Sequence, residues 1–185
     1  GAELNMVLTN ITTASNFFHA MRRQLAWPFR KPWINFAPKA NLRHPGTYSK
    51  MDEFLNGGFR EVIDDSFVHA DEVTKVLFCS GKIYYDLLDR QQKEGRKDTA
   101  IIRLEQLYPL PLKQLEALYA KYSQATWFWV QEEPLNMGAA SFLKMNLTSI
   151  NYGVISRQPS AATATGYAKV HAQEQAEIID TAFSI

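Results

Sequence analysis

The 185-residue chain has very little cysteine, no excess of charge and no long apolar run. Its one cysteine, Cys79, excludes a disulfide framework and favours a reducing compartment. The formal net charge is +1, so no field of the whole chain attracts nucleic acid or an anionic membrane. No stretch reaches the roughly 20 apolar residues of a membrane span, and no signal peptide is recognisable. We therefore expect a globular protein with neither a nucleic acid nor a membrane as a partner.

Hydrophobic residues make up 46% of the chain and charged residues 21%, which is enough apolar material for a sizeable core. The length suits one domain, or one domain with part of another. Gly1 stands where an initiator Met would be expected. We therefore expect a chain cut from a longer protein, with a first strand that lacks some of its sheet partners.

The beginning of the chain predicts one strand–helix–strand unit. Asn5–Asn10 and Trp33–Ala37 are the predicted strands, and a helix runs from Thr12 or Thr13 to Trp27, where Pro28 ends it. The helix carries an apolar stripe at helical spacing, formed by Phe17, Met21 and Leu25 with Phe18.

The rest of the chain predicts an α/β fold with a mostly parallel sheet and helices on both faces, because strands alternate with helices there. Lys39–Gly58 has the composition of a linker, with one helical turn at Met51–Leu55. The predicted strands are 59–63, 75–80, 99–104, 126–130 and 152–156, and the predicted helices are 82–94, 112–122, 138–147 and 171–183.

The corner after the second of these strands is the first candidate site. Ser80-Gly81-Lys82 ends a buried strand and begins a helix, where backbone N–H groups and the Lys82 ammonium group could hold a phosphate or carboxylate. The alternative is a tight turn that needs Gly81, with Lys82 in solvent. Because the motif lacks the glycine spacing of nucleotide-binding loops, the residues alone favour the turn.

Two further strand ends carry charged residues. Arg103 lies where open α/β sheets bind ligands, or else it pairs with Glu105 or Glu132. The segment 131–134, Gln-Glu-Glu-Pro, is predicted to follow its strand. Its carboxylates could serve acid–base chemistry or a metal, but no His or Cys lies nearby to complete a zinc site. A polar strand exit that caps a helix or pairs with basic residues is favoured.

The remaining candidates have ordinary interpretations. His19 is predicted on the surface of its helix and not as a general base. Cys79, inside an apolar run, is predicted to be a core thiol. The aromatic residues 127–129 have strand spacing and are not a base-stacking platform. The residues alone therefore contain no complete catalytic set.

A series of short motifs nevertheless occurs in fixed order through nearly the whole chain. The motifs are Ile11–Leu25, Phe29–Pro32, Pro38–Lys39, Leu42–Pro45, Ser80–Leu87, Arg103–Leu107, Trp129–Pro134 and Lys169–His171. As a set they resemble the C-terminal end of the E1 component of 2-oxoglutarate dehydrogenase, a family of thiamine-diphosphate-dependent decarboxylases. The related family that acts on 2-oxoadipate shares much of the series and stays an alternative.

The resemblance implies a transketolase-like fold and a division of the chain. Residues 1–45 would end a pyrimidine-binding domain, 46–58 would form a linker, and 59–185 would form the transketolase-like C-terminal domain. The residues that bind thiamine diphosphate and Mg, and the active-site histidines, would lie upstream. His19 and His44 are not expected to be those histidines, and this chain is expected to bind neither cofactor and to hold no catalytic residue.

The resemblance also implies partners and a regulatory ligand. The complete enzyme would form a homodimer and pass a succinyl group to the E2 succinyltransferase, in the bacterial cytoplasm or the mitochondrial matrix. Some bacterial members bind acetyl-CoA at an allosteric pocket. The phosphate groups of acetyl-CoA require cationic side chains in such a pocket. The candidate residues are Arg23, Arg103, Lys82, Ser80, Lys39, Arg43 and Lys50. The alternative is that the two arginines only brace the domain interface through ion pairs.

Overall fold

The computed structural model describes residues 5–184. The strands are β1 (Val7–Thr9), β2 (Trp33–Asn35), β3 (Val62–Ile63), β4 (Lys75–Cys79), β5 (Thr99–Leu104), β6 (Gln106–Tyr108), β7 (Thr126–Pro134) and β8 (Gly153–Arg157). The helices are α1 (Ala14–Ala26), α2 (Met51–Leu55), α3 (Ile83–Glu94), α4 (Leu112–Lys121), α5 (Ala140–Asn146) and α6 (Ala168–Ser184). Short 3-10 helices lie at Lys39–Leu42, Pro45–Thr47 and Ala70–Glu72.

A five-stranded sheet in the order β3-β5-β4-β7-β8 forms the centre of the molecule. The four strands from β5 to β8 in this order run parallel, and β3 pairs antiparallel with β5 at one edge. The α/β class and the mostly parallel sheet are therefore confirmed.

Helices cover both faces of this sheet. Phe78 and Trp129 pack on one face with Leu143 of α5, whereas Leu77 packs on the other face with Leu87 of α3. Successive side chains of β4 thus enter opposite cores, as the two-residue period of a strand requires. Because both faces are buried, β4 is apolar at nearly every position.

A second, three-stranded sheet in the order β2-β1-β6 lies beside the first. β1 and β2 are parallel and joined by α1, as predicted. β6, which the sequence did not predict, pairs antiparallel with β1. β1 therefore has a partner on each side, and the expectation that the first strand lacks sheet partners is wrong. The sheet therefore combines strands from 1–45 and 59–185, and the proposed domain division stays a prediction.

Helix α1 buries mainly polar residues and leaves its apolar stripe partly exposed. Phe17 is 38% exposed, Met21 39% and Leu25 78%, whereas Asn16 and His19 are buried. The prediction of a surface position for His19 is therefore wrong. The physical reason is that α1 packs against backbone groups of the linker, which need hydrogen-bond partners.

The linker is an ordered layer over α1 and includes the predicted helical turn, as α2. Just after the linker, Asn16 Nδ2 donates to the Arg60 carbonyl at 3.0 Å, and the Arg60 amide donates to Asn16 Oδ1 at 2.9 Å. His19 Nε2 lies 2.7 Å from the Glu53 carbonyl. Ser15 accepts a hydrogen bond from Ser49 at 2.9 Å.

Strand β7 extends past its predicted end at Val130 to Pro134. Its pairing with β8 is irregular between these two residues and then resumes opposite Arg157. The buried amide of Gln131 supports this extension, since it donates to the carbonyl of Pro134 at 3.0 Å. The acidic pair Glu132-Glu133 therefore lies inside a strand and not after one.

Candidate functional site

A cavity of about 820 Å³ lies between the two sheets, at the carboxyl ends of β4 and β7. This is the edge where open α/β sheets bind ligands. Its apolar lining includes Met6, Leu8, Phe36, Leu107, Trp129 and Phe142. Its polar lining includes Asn10, Ser80, Lys82, Gln131, Glu132 and Glu133. Of the seven candidate residues from the sequence, the cavity contains Ser80 and Lys82.

Lys82 is bound by carboxylates. Its Nζ lies 2.5 Å from Glu132 Oε1 and 3.5 Å from Asp86 Oδ2. Burial acts to lower the pKa of Lys82, but the hydrogen bond and charge of Glu132 outweigh burial, and the pKa is raised. The corner is thus filled by an ion pair, and an anionic ligand there would have to displace Glu132.

The turn at Gly81 requires glycine for two reasons. Its φ of +75° lies in the left-handed region, and an added Cβ would lie 2.4 Å from Asn10 Nδ2. Ser80 Oγ and Asn10 Oδ1 are buried and have no hydrogen-bond partner within the described residues. The tight-turn interpretation is therefore right about Gly81, but it is wrong about Lys82, which pairs with Glu132 and does not lie in solvent.

The cysteine on this sheet is not a candidate nucleophile. Cys79 is fully buried, and burial raises the pKa of its thiol, so the predicted core thiol is confirmed.

Across residues 5–184, no three His, Cys, Asp or Glu side chains come together as a metal site. No helix in the same range has both the length and the apolar character needed to cross a bilayer.

Arg103 lies apart from the cavity residues of β7. It is on β5, which pairs with β4 on the side opposite β7. Its Nη1 donates to Thr12 Oγ1 at 3.0 Å, and its guanidinium carbon lies 4.3 Å from the centre of the Tyr84 ring. In the part of the chain that the structure describes, Arg103 takes part in none of the ion pairs. The predicted alternatives, pairing with Glu105 or Glu132, are therefore wrong.

Glu105 does not pair with Arg103 because other donors occupy its carboxylate. It is fully buried between β5 and β6. Thr12 donates to it twice, from the backbone amide at 2.9 Å and from the hydroxyl at 2.6 Å. Asn16 Nδ2 donates a third hydrogen bond at 3.0 Å. A buried carboxylate with three donors is satisfied without a cation.

Arg23, in contrast, is engaged on several sides. It donates to Glu61 at 2.9 Å and to Gln106 at 2.7 Å, and its guanidinium carbon lies 4.1 Å from the centre of the Phe59 ring. Burial lowers the pKa of Arg23, and the charge of Glu61 partly opposes that effect. These contacts join α1 to residues 59–185. They agree with the alternative that Arg23 braces the interface between the two parts of the chain.

The three basic candidates of the linker, Lys39, Arg43 and Lys50, have exposed side chains. His44, next to Arg43, stacks on Tyr85 with ring centres 4.3 Å apart. The Tyr85 hydroxyl in turn donates to the Thr12 carbonyl.

The candidate residues therefore separate into four places. Ser80 and Lys82 lie at the cavity, Arg103 lies beside Thr12, Arg23 lies at Glu61, and the linker residues lie at the surface. Sequence reasoning missed Thr12 and Glu105 as a pair. Both belong to the motif series, but nothing in the sequence joins positions 12 and 105.

The sheet order and the two helical layers define an open, mostly parallel α/β protein. Residues 48–183 match the family described as "2-oxoglutarate dehydrogenase C-terminal". The match covers most of the chain, and the chain belongs to this family.

Individual relatives agree with the family. The chain is 38% identical to the 2-oxoglutarate dehydrogenase E1 component of Haemophilus influenzae and 37% identical to the mitochondrial 2-oxoglutarate dehydrogenase of Caenorhabditis elegans, with 99% of the chain covered in each case. It is also 38% identical, over 98% of its length, to a Dictyostelium discoideum protein named "probable 2-oxoadipate dehydrogenase complex component E1 homolog". The chain spans about a fifth of the length of these relatives, between 19% and 21%.

Proposed function

We propose that the chain is the C-terminal part of a 2-oxoglutarate dehydrogenase E1 component. The complete enzyme would decarboxylate 2-oxoglutarate with thiamine diphosphate and Mg and pass the succinyl group to the E2 lipoyl group. Similarity over 99% of the chain to relatives of that name supports the proposal. The cofactors would be bound elsewhere in the enzyme, and the transketolase-like domain assignment is part of the same proposal.

The role proposed for this chain is to pack against the rest of the enzyme and help form its homodimer. The observation that carries it is the exposed apolar stripe of α1, at Phe17, Met21 and Leu25. Next to the stripe, Trp33 of the edge strand β2 contacts Phe17, with ring centres 5.6 Å apart. Soluble proteins rarely leave a contiguous apolar patch uncovered without a partner.

An activity assay tests the division of labour. We expect no 2-oxoglutarate-dependent reduction of ferricyanide by this chain with thiamine diphosphate and Mg, and full activity from the complete protein. Activity of the chain alone would contradict the proposal. The ratio of kcat/KM for 2-oxoglutarate and 2-oxoadipate, measured on the complete protein, decides between the two substrates. The compartment, bacterial cytoplasm or mitochondrial matrix, stays a prediction.

A second proposed function is regulatory binding of acetyl-CoA, with Arg103 as its principal cation. The observation that favours Arg103 is its state of pairing. Arg23 and Lys82 are already bound by carboxylates, whereas Arg103 donates a single hydrogen bond, to a neutral hydroxyl, among the described residues. A half-buried guanidinium without a carboxylate partner suits a phosphate group.

Thermal unfolding with acetyl-CoA tests this role. A ligand at 100 times its Kd stabilises the folded state by about 2.7 kcal/mol, which raises Tm. We expect the increase in the wild type and in Arg30→Gln, an exposed control, but not in Arg103→Gln. If millimolar acetyl-CoA leaves the wild-type Tm unchanged, the regulatory role of this chain is excluded.

A further inference from the structure

We propose that Thr12 and Glu105 are positioning residues that hold the Arg103 guanidinium for a phosphate-bearing ligand. The proposal rests on the anion-binding role of Arg103 given above, and it adds the groups that would make that binding selective. Arg103 touches the ligand in this account, whereas Thr12 and Glu105 act only through Arg103.

The first step is the direction of the Thr12 hydroxyl. An ionised carboxylate can only accept hydrogen bonds. Thr12 Oγ1, 2.6 Å from Glu105 Oε1, must therefore donate its proton to Glu105. A hydroxyl oxygen that donates in one direction offers its lone pairs in the others. Glu105 thereby fixes Thr12 Oγ1 as the acceptor for Arg103 Nη1, at 3.0 Å.

The second step is the orientation of Glu105 itself. Its other oxygen, Oε2, accepts from the Thr12 amide at 2.9 Å and from Asn16 Nδ2 at 3.0 Å. The Asn16 amide group is held in turn by the backbone of Arg60, on both its oxygen and its nitrogen. Every group behind Thr12 therefore has a defined hydrogen-bond direction, and the carboxylate cannot rotate toward Arg103 without breaking three bonds.

The third step is the guanidinium plane. The ring of Tyr84 lies 4.3 Å from the Arg103 guanidinium carbon, which is within the range of a cation–π contact. One edge of the guanidinium is held by Thr12 and one face by Tyr84. No other hydrogen bond from the guanidinium to a described residue is present, so its remaining N–H groups suit the bidentate geometry of a phosphate.

The test is calorimetric titration of the chain with inorganic pyrophosphate. We expect saturable binding by the wild type, none by Arg103→Gln, and unchanged affinity in Thr12→Ser, which keeps the hydroxyl. Thr12→Val removes the hydroxyl at nearly equal volume and should weaken binding about tenfold, the size of one hydrogen bond to a charged group.

Glu105→Gln separates positioning from simple charge. Removing a negative charge near the site should strengthen pyrophosphate binding if only Coulomb forces matter. We expect weaker binding, because the new amide can donate to Thr12 and reverse the direction of its hydroxyl. This variant also keeps the proposal falsifiable if Thr12→Val does not fold.

The outcomes separate the two proposals. Wild-type affinity in Thr12→Val, or tighter binding by Glu105→Gln, would overturn the positioning role and leave the anion site intact. Saturable binding that Arg103→Gln retains would overturn the choice of Arg103. Absence of saturable wild-type binding would overturn the anion site and the positioning role with it.

Discussion

The five-stranded sheet and the α1 unit, which consists of β1, α1 and β2, differ in which side chains their helices bury. In the larger unit, β4 places apolar side chains into cores on both faces, which α3, α4, α5 and α6 cover. In the α1 unit, three of the four buried residues of the helix, Ser15, Asn16 and His19, are polar, and the apolar stripe stays partly exposed. The five-stranded sheet and its helices therefore bury their own apolar surface, whereas the α1 unit leaves part of its apolar surface uncovered.

An amphipathic helix therefore does not always bury its apolar face. A helical pattern indicates which residues share a face, but the neighbouring elements decide which face is covered. Around α1 the neighbours are the linker and the β5–β6 connection, which present backbone carbonyls, amides and the Glu105 carboxylate. Polar side chains are the partners that such groups need.

Two leucines on helices should give the largest difference in stability. Leu87→Ala empties a fully buried position of α3 and should lower the free energy of unfolding by about 2–5 kcal/mol. Leu25→Ala changes a residue that is 78% exposed and should change it by less than about 0.5 kcal/mol. Urea denaturation measures both values. Similar losses for the two variants would mean that the stripe of α1 is packed in this chain.

The polar side of α1 should show an intermediate effect. Asn16→Ala removes the hydrogen-bond partner of the Arg60 amide and carbonyl, and it removes one of the two donors to Glu105 Oε2. We expect a loss of about 1–3 kcal/mol in the free energy of unfolding, the cost of unsatisfied buried groups. Phe17→Ala, at the next position, is the control and should cost less. An unchanged free energy of unfolding in Asn16→Ala would show that these hydrogen bonds do not stabilise the packing of α1.

The smallest effect should come from acid. The hydrogen bond and charge of Arg96 lower the pKa of Asp98 in the folded chain, against the effect of burial. The stability gained is complete above the unfolded pKa of about 3.9 and is lost as pH falls through the lower folded value. Because the pair is partly exposed to solvent, this stability should be less than about 1 kcal/mol.

Asp98→Asn tests this assignment. The variant should be slightly less stable at pH 7 and should lose less stability than the wild type below about pH 4. Asp89→Asn is the matched control for the removal of one exposed negative charge. An equal change in the acid slope of both variants would contradict the assignment to Asp98.

The sequence predicts the larger unit better than the α1 unit for a physical reason. Strand Thr99–Leu104 matches its prediction residue for residue, because a buried parallel strand has a continuous apolar run with clear ends. β6 was missed, since its three residues follow β5 after Glu105 alone and precede Pro109. Its pairing with β1 depends on a contact across about 100 positions, which no local pattern encodes.

The candidate site shows the same limit. The position of Arg103 at the end of a strand predicts a ligand-binding role from the sequence. The Lys82–Glu132 pair joins two other strand ends, which the parallel sheet brings together. The Thr12–Glu105 contact could not be predicted in the same way. It depends on how α1 and the first sheet pack beside the second, which tertiary contacts determine.

Cysteine labelling at the stripe of α1 tests the central claim most directly. The one native cysteine, Cys79, is fully buried, so Met21→Cys adds a single accessible thiol. We predict rapid reaction with Ellman's reagent in this chain and strong protection in the complete protein. Met145→Cys, at a position that is 72% exposed on α5, controls for accessibility in this chain. Equal rates for Met21→Cys in the chain and in the complete protein would contradict the account, because the stripe would then face solvent in both.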